Sequence, residues 1–259
     1  MAIPRISVIT ACYNSAGTIR EALQSVVSQA YPALDLIVID GGSTDGTLQI
    51  IEEFKDNISV LVSESDKGIS DAFNKGIANA SGDLIGILNS DDVMLPGALD
   101  AIAQAYDEHT DVYRGNMLLW NDKTGQRVRE HPSLHFPKVP LIIHVCHGGT
   151  FVTHRAYTEH GTYDTRMKFV MDLDLLTRYS RAGLTFKAVD ADIEAFRIGG
   201  VTNTPLSAKK EELRYFIKKN GGTYFHFLLY YGGLRLQDMV KRVLDLFDED
   251  FKRKIRYRK

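Results

Sequence analysis

The first hundred residues alternate short, β-branched apolar runs with longer stretches whose apolar residues recur at helical spacing. Few folds accept that order. Residues 6–11 (ISVITA), 34–39 (LDLIVI), 58–62 (ISVLV) and 84–88 (LIGIL) read as strands. Between the first two, residues 18–29 place Ile19, Leu23, Val26 and Val27 on one face of a helix that Pro32 closes. A second helix is expected from the "DGGSTDGT" segment through Phe54, with Ser43 or Thr44 as its cap, and a third over about 70–80, stopped by Gly82. Strand–helix–strand units of this kind pair in parallel through right-handed crossovers, so the chain is expected to be α/β, with a mainly parallel sheet flanked by helices.

After Leu99 the pattern changes. Residues 112–120 and 127–130 read as a hairpin around "NDKTG", and "HPSLHFPKVP", with its three prolines, reads as a loop. A second core segment follows, from "GGTFV" through a helix near residues 173–181, with strands expected near 186–189 and 193–196. From Ser207 onward the chain is helical and increasingly basic. No internal repeat or low-complexity tract interrupts it.

Composition narrows the functional classes. With 259 residues, 44% hydrophobic and 25% charged, the chain can bury one sizeable core. A net charge of −2 supplies no global basic field, so nucleic acid is not an expected partner. Cys12 and Cys146 lie within or beside apolar segments and read as small buried hydrophobes, without a disulfide framework. The first residues lack the order of a signal peptide and no apolar run approaches a bilayer span, so the expected setting is the cytoplasm.

The ends of the strands carry the chemistry. In an open parallel sheet, ligands bind beyond the carboxyl ends of the strands, where strand order reverses. Those ends carry Tyr13 and Asn14, then Asp40, then Glu64 and Asp66, then Asp91 and Asp92. So many carboxylates repel one another unless a cation is shared, and hard oxygen ligands favour Mg2+ or Mn2+ over zinc. Such ions share their shell with a diphosphate. Taken singly, an Asp-Asp pair after a strand also serves to start a turn or cap a helix, here one beginning near Pro96. "DGGSTDGT" lacks the final Lys of a P-loop, and "CYNSAGT" lacks the three-glycine spacing of a dinucleotide site.

Four separated stretches, "ISVITACYNSAGTIREALQSVVSQAYP", "LIVIDGGSTDGT", "ESDKGISDAFNKGIANASGDLIGILNSDD" and "CHGGTFVTHRAYTEHGTYDTRMKFVMDLDLLTRYSRAG", resemble the family-two inverting glycosyltransferases of GT-A fold, in family order over most of residues 5–200. The resemblance implies a GT-A domain over 1–205, its first hundred residues holding the nucleotide and 101–205 the acceptor, with a helical, basic extension over 206–259. It implies that Asp40 accepts a hydrogen bond from the base, usually uracil. Thr10 and Asn14 would line the same pocket, with Asp66 as a further base-contacting or pocket-shaping residue. Asp92 would bind the cation bridging the diphosphate, and Asp91 would hold ribose or a metal-bound water. Asn89 stands where many relatives have Asp, which leaves open which carboxylates touch the metal.

Displacing a nucleoside diphosphate from an anomeric carbon also requires a base for the attacking hydroxyl. By resemblance to the family's carboxylate before "L..R", that base is Asp172. Asp174 should face elsewhere, about 200° round the helix. Two readings of His147 stay open, a structural histidine or one contacting donor sugar, acceptor or phosphate. Arg178 is expected in a structural ion pair and Arg197 on the diphosphate. Loops around Lys138 and Gly199 would close over the donor.

The segment "YFHFLLYYGGLRLQDMVKRVLDLF" is rich in aromatics and leucine, and "FKRKIRYRK" follows it. It reads either as a helix lying on the anionic inner face of a membrane or as one packed on the protein, including a homo-oligomer contact. The expected function is transfer of a sugar, UDP-linked, to a saccharide or lipid-linked oligosaccharide acceptor. The alternatives are a catalytically silent sugar-nucleotide-binding scaffold and a nucleotidyltransferase.

Overall fold

In the computed structural model, residues 3–134, 136, 147–198 and 205–245 are described. The chain forms two compact units, and the first contains all described residues up to 198. Its opening segment is β1 (Ile6–Cys12), α1 (Ile19–Val27), β2 (Leu34–Asp40), α2 (Thr47–Glu52), β3 (Val60–Ser63), α3 (Ile69–Asn79) and β4 (Leu84–Ile87). There follow β5 (Val93–Met94), α4 (Ala98–Ala105), the hairpin of β6 (Val112–Asn121) and β7 (Gln126–Glu130), then β8 (Thr150–Thr153), α5 (His154–His160), α6 (Met171–Arg181) and β9 (Phe186–Arg197).

The sheet runs in the order β3-β2-β1-β4-β8-β6-β9-β5, with β7 on β6. The first four strands are parallel, as the alternation requires. The rest is mixed: β8 is antiparallel to both β4 and β6, β9 is parallel to β6, and β5 is antiparallel to β9. Strands β1–β5 and β6–β9 therefore share one sheet. The chain moves outward from β1 to β3 and then returns to place β4 on the other side of β1. The reversal opens a crevice between the ends of β1 and β4.

Both faces of the central strands are covered, which explains their continuous apolar reading. Ile6, Val8 and Cys12 of β1 join Ile19, Ala22, Leu23 and Val26 of α1 in one cluster. On the opposite face Ile9 packs directly on Gly76 of α3. The expected cap of α2 differs: neither Ser43 nor Thr44 caps it, and Gly46, at φ 98°, occupies the position. Asp45 instead accepts from the Thr47 amide at 3.1 Å and from the Ala16 amide at 3.0 Å, tying the α2 entry to the β1 loop. The two strands expected over 186–196 are one strand, and β5, β8 and α5 were not foreseen.

The second unit contains α7 (Leu206–Lys219) and α8 (Tyr224–Asp245), which pack on each other. Among the described residues no helix is long and apolar enough to cross a membrane.

Gly86 of β4 is fixed by packing, because a Cβ there would strike the Phe151 ring of β8. Gly86→Ala is expected to lower stability by about 1–3 kcal/mol through overpacking. A lowered thermal midpoint would show it, and an unchanged one would show that Phe151 relocates without cost.

Candidate active site

The loops after β1 and β2 are laced together. Asn14 adopts φ 49°, a left-handed conformation that Asn tolerates. Its amide donates to Ser43 Oγ at 2.8 Å and its Oδ1 accepts from the Thr44 amide at 2.9 Å. Ser15 Oγ lies 2.9 Å from Ser90 Oγ, which brings the β4 loop into the same network.

Asp40 is 0% exposed. Its carboxylate accepts from the Gly42 and Ser43 amides, at 3.2 and 3.1 Å, and from Ser63 Oγ at 2.7 Å. Burial alone would raise its pKa, but hydrogen bonds from Ser43, Ser63 and Gly42 hold it below the usual range. Asp40 thus orders the turn, whereas the open rim beside it is formed by others. A Cβ on Gly41 would meet Asp66 Oδ2 at 2.5 Å and the Tyr13 ring at 3.5 Å, so Tyr13 and Asp66 flank a bare backbone. Tyr13 is 63% exposed, while Thr10 is buried inside β1, its hydroxyl without a hydrogen-bond partner among the described residues.

The acidic pair divides into an inner and an outer member. Asp92 is 1% exposed; Oδ1 accepts from the Arg197 amide at 2.8 Å and Oδ2 from Asn89 Nδ2 at 3.0 Å. Asp91 is only partly buried, and among the described residues its carboxylate has no hydrogen-bond or ion-pair partner. Arg197 does not reach outward as expected. Its guanidinium donates to the Asp91 carbonyl at 3.0 Å, to Asp122 at 3.1 Å and to Glu21 at 2.7 Å, and it stacks 4.4 Å from the Trp120 ring centroid. These contacts use it as a clamp across α1, β6 and the β4 loop, and a diphosphate would have to displace one of them.

His147 and Asp172 meet. The Nδ1 of His147 lies 3.1 Å from Asp172 Oδ2, in the first turn of α6, and Phe73 of α3 packs edge-on against the imidazole at 5.1 Å. Asn74 positions the approach to α6 by bonding both the amide and the carbonyl of Tyr163. Asp174 turns away, fully buried against Arg178 at 3.0 Å, and Arg178 also donates to the His160 and Thr162 carbonyls.

Glu194 of β9 was not foreseen. It is buried and accepts from the Gly149 amide at 3.1 Å, two residues after His147. Its Oε1, His147 Nε2, Asp172 Oδ1 and Asn89 Oδ1 are all buried without a hydrogen-bond partner among the described residues. Unsatisfied groups in such number are unusual in a folded interior and mark a place built for ligand. Burial pushes Asp92 and Glu194 above the usual carboxylate range, each reinforced by neighbouring acidic charge. Burial would lower the pKa of His147, yet Asp172, Glu194 and Asp92 together raise it to about 9.

Among the described residues, no three acidic, histidine or cysteine side chains form a ready metal cage. The donor set nevertheless fits a hard divalent ion: Asp91 offers an unengaged carboxylate beside Asp92, and Mg2+ or Mn2+ completes its shell with water and phosphate oxygens. The loops at Lys138 and Gly199, and Cys146, lie outside the described residues.

Residues 7–162 match the family described as Glycosyl transferase family 2. The chain is 29% identical over 189 residues to the putative glycosyltransferase EpsE of Bacillus subtilis, covering 70% of this chain and 68% of that protein. It is 26% identical over 212 residues to a PGL/p-HBAD biosynthesis glycosyltransferase of Mycobacterium bovis, covering 79% and 81%. S. aureus TarS 1–349, solved in complex with UDP-GlcNAc, matches with a TM-score of 0.67 at 20% identity, over 82% of this chain and 65% of that one. The mannosyltransferase PcManGT from Pyrobaculum calidifontis, solved with GDP-Man and Mn2+, matches with a TM-score of 0.61 at 17% identity, over 92% and 65%. The likeness to these structures shows the GT-A fold, and the chain spans slightly less than two thirds of their length.

The charges predict a pH dependence. The raised pKa of His147 stabilises the fold fully below its ordinary 6.5, and that stability is lost as pH rises through about 9. Raised pKa values at Asp92 and Glu194 act with the same sign, since the native state holds their protons longer. In chelator, the thermal midpoint is expected to fall from pH 6 to pH 9 (values about those of the titrating groups), and Glu194→Gln should flatten the slope. An equally steep profile in the variant would remove Glu194 from the cluster's electrostatics.

Proposed function

Because the chain belongs to glycosyl transferase family 2, we propose that it moves a sugar from a UDP-linked donor to a hydroxyl of a saccharide or lipid-linked acceptor, with inversion, in surface polysaccharide or glycolipid assembly. The observation that carries this reading is the contact between Asp172 and His147, each with a buried polar atom unpartnered, in the same acidic cluster as Asp92. The complexes of TarS with UDP-GlcNAc and of PcManGT with GDP-Man and Mn2+ support a nucleotide-sugar donor.

In this reading the base lies over the bare backbone of Gly41, between Tyr13 and Asp66. Asp40 acts indirectly by holding the turn that presents it. Asp91 and Asp92 would hold Mg2+ or Mn2+, which when bound neutralises the charge that develops on the diphosphate. Asp91 would offer its carboxylate to the ion, and Asp92 is kept in place by Arg197 and Asn89.

Asp172 takes the proton from the acceptor hydroxyl as that oxygen forms its bond to the anomeric carbon. The bond to the diphosphate breaks on the opposite face, and its electron pair leaves with the phosphate oxygen. His147, charged, keeps Asp172 Oδ2 occupied and leaves Oδ1 to receive the proton. A silent scaffold would have no need of an unpartnered carboxylate oxygen there.

Asp172→Asn is expected to leave binding of UDP-sugar intact while lowering turnover by about 10²–10⁴-fold, the range for a general base. Calorimetry and a UDP-release assay measure the two quantities. Turnover retained in the variant would remove Asp172 from the reaction.

A further inference from the structure

α8 is apolar on two opposite faces. On one, Phe227 is buried and Tyr230, Tyr231 and Leu234 are half-buried, with the rings of Tyr224, Phe227 and Tyr231 stacked in turn at 5.8 and 5.4 Å. α7 packs along α8, and its Leu213, Phe216 and Ile217 are buried. The other face carries Phe225, Leu228, Leu229, Leu236 and Met239, each between 49% and 64% exposed. At about 100° per residue, these five fall within roughly 60° of one line along the helix. Isolated exposed leucines are ordinary, but a stripe of this length marks a contact surface.

Charge selects the occupant. Residues 246–259, "LFDEDFKRKIRYRK", contain six basic residues against three acidic ones, a net positive charge gathered in the last nine positions. An anionic lipid surface attracts the basic segment and takes up the apolar stripe at once. Since α8 is not long and apolar enough to cross a bilayer, it would lie in the interface plane.

We infer that the open face of α8 rests on an anionic lipid surface, with Phe225, Leu228, Leu229, Leu236 and Met239 entering the headgroup boundary. This goes beyond the sugar-transfer reading, and its test needs no donor.

The full chain is sedimented with vesicles of equal parts phosphatidylcholine and phosphatidylglycerol, and with phosphatidylcholine alone. Binding is expected to the anionic vesicles, to weaken with salt, and to fall at least about tenfold in Phe225→Glu/Leu229→Glu. Unchanged circular dichroism would show that the variant is folded, as these side chains are exposed. A second variant, Lys252→Gln/Arg253→Gln/Lys254→Gln, should also bind less and respond less to salt. Wild-type protein left in the supernatant, or stripe variants that bind as well as wild type, would overturn the inference. So would sedimentation velocity showing a dimer that the stripe substitutions dissociate, which would assign the face to a second copy.

Discussion

Arg197 and His147 let four carboxylates gather at the end of β4. The amide of Arg197 holds Asp92, and its guanidinium ties the Asp91 carbonyl to Glu21 of α1 and Asp122 at the end of β6. His147 bonds Asp172 and lies within the fields of Glu194 and Asp92. A buried carboxylate without such a partner would be neutral or would unfold the site. The mixed half of the sheet follows from this need. β9 lies between β6 and β5, so one strand delivers both Glu194 and Arg197 to the β4 loop.

The cluster remains incompletely satisfied. Burial and neighbouring acidic charge raise the pKa values of Glu194 and Asp92, and among the described residues Glu194 Oε1, Asp172 Oδ1 and His147 Nε2 lack hydrogen-bond partners. An ordinary core would have replaced such groups with apolar ones. A metal-bound diphosphate and a sugar bring the complementary chemistry: a cation for the carboxylates, and hydroxyls that both donate and accept.

The parallel half of the fold was legible because its signals are local. β1, β2 and β4 are continuous apolar runs, and the α1 face repeats every three to four residues. β5 escaped notice because two residues carry no period, and β8, within the "GGTFV" segment, is made a strand by antiparallel pairing with the distant β4 and β6. Strand-end position singled out Asp91 and Asp92, and resemblance singled out Asp172. Glu194 was illegible: in "DADIEAF" it reads as the outward member of an alternating strand, yet Ile193, Glu194 and Ala195 are all buried. Arg197 looked suited to phosphate, but its partner Glu21 lies 176 residues away in sequence. Asp40 shows the same limit in part: its bond from the Ser43 amide is local, but its bond from Ser63 depends on how β2 and β3 are paired.

Donor binding by the acidic pair is expected to run through a shared cation. Calorimetric titration of chelator-treated protein with UDP-sugars, with and without Mn2+, tests this most directly. Tight binding only when Mn2+ is present, and its loss in Asp91→Asn, is the predicted result. Equal affinity in the presence and absence of the ion would contradict it.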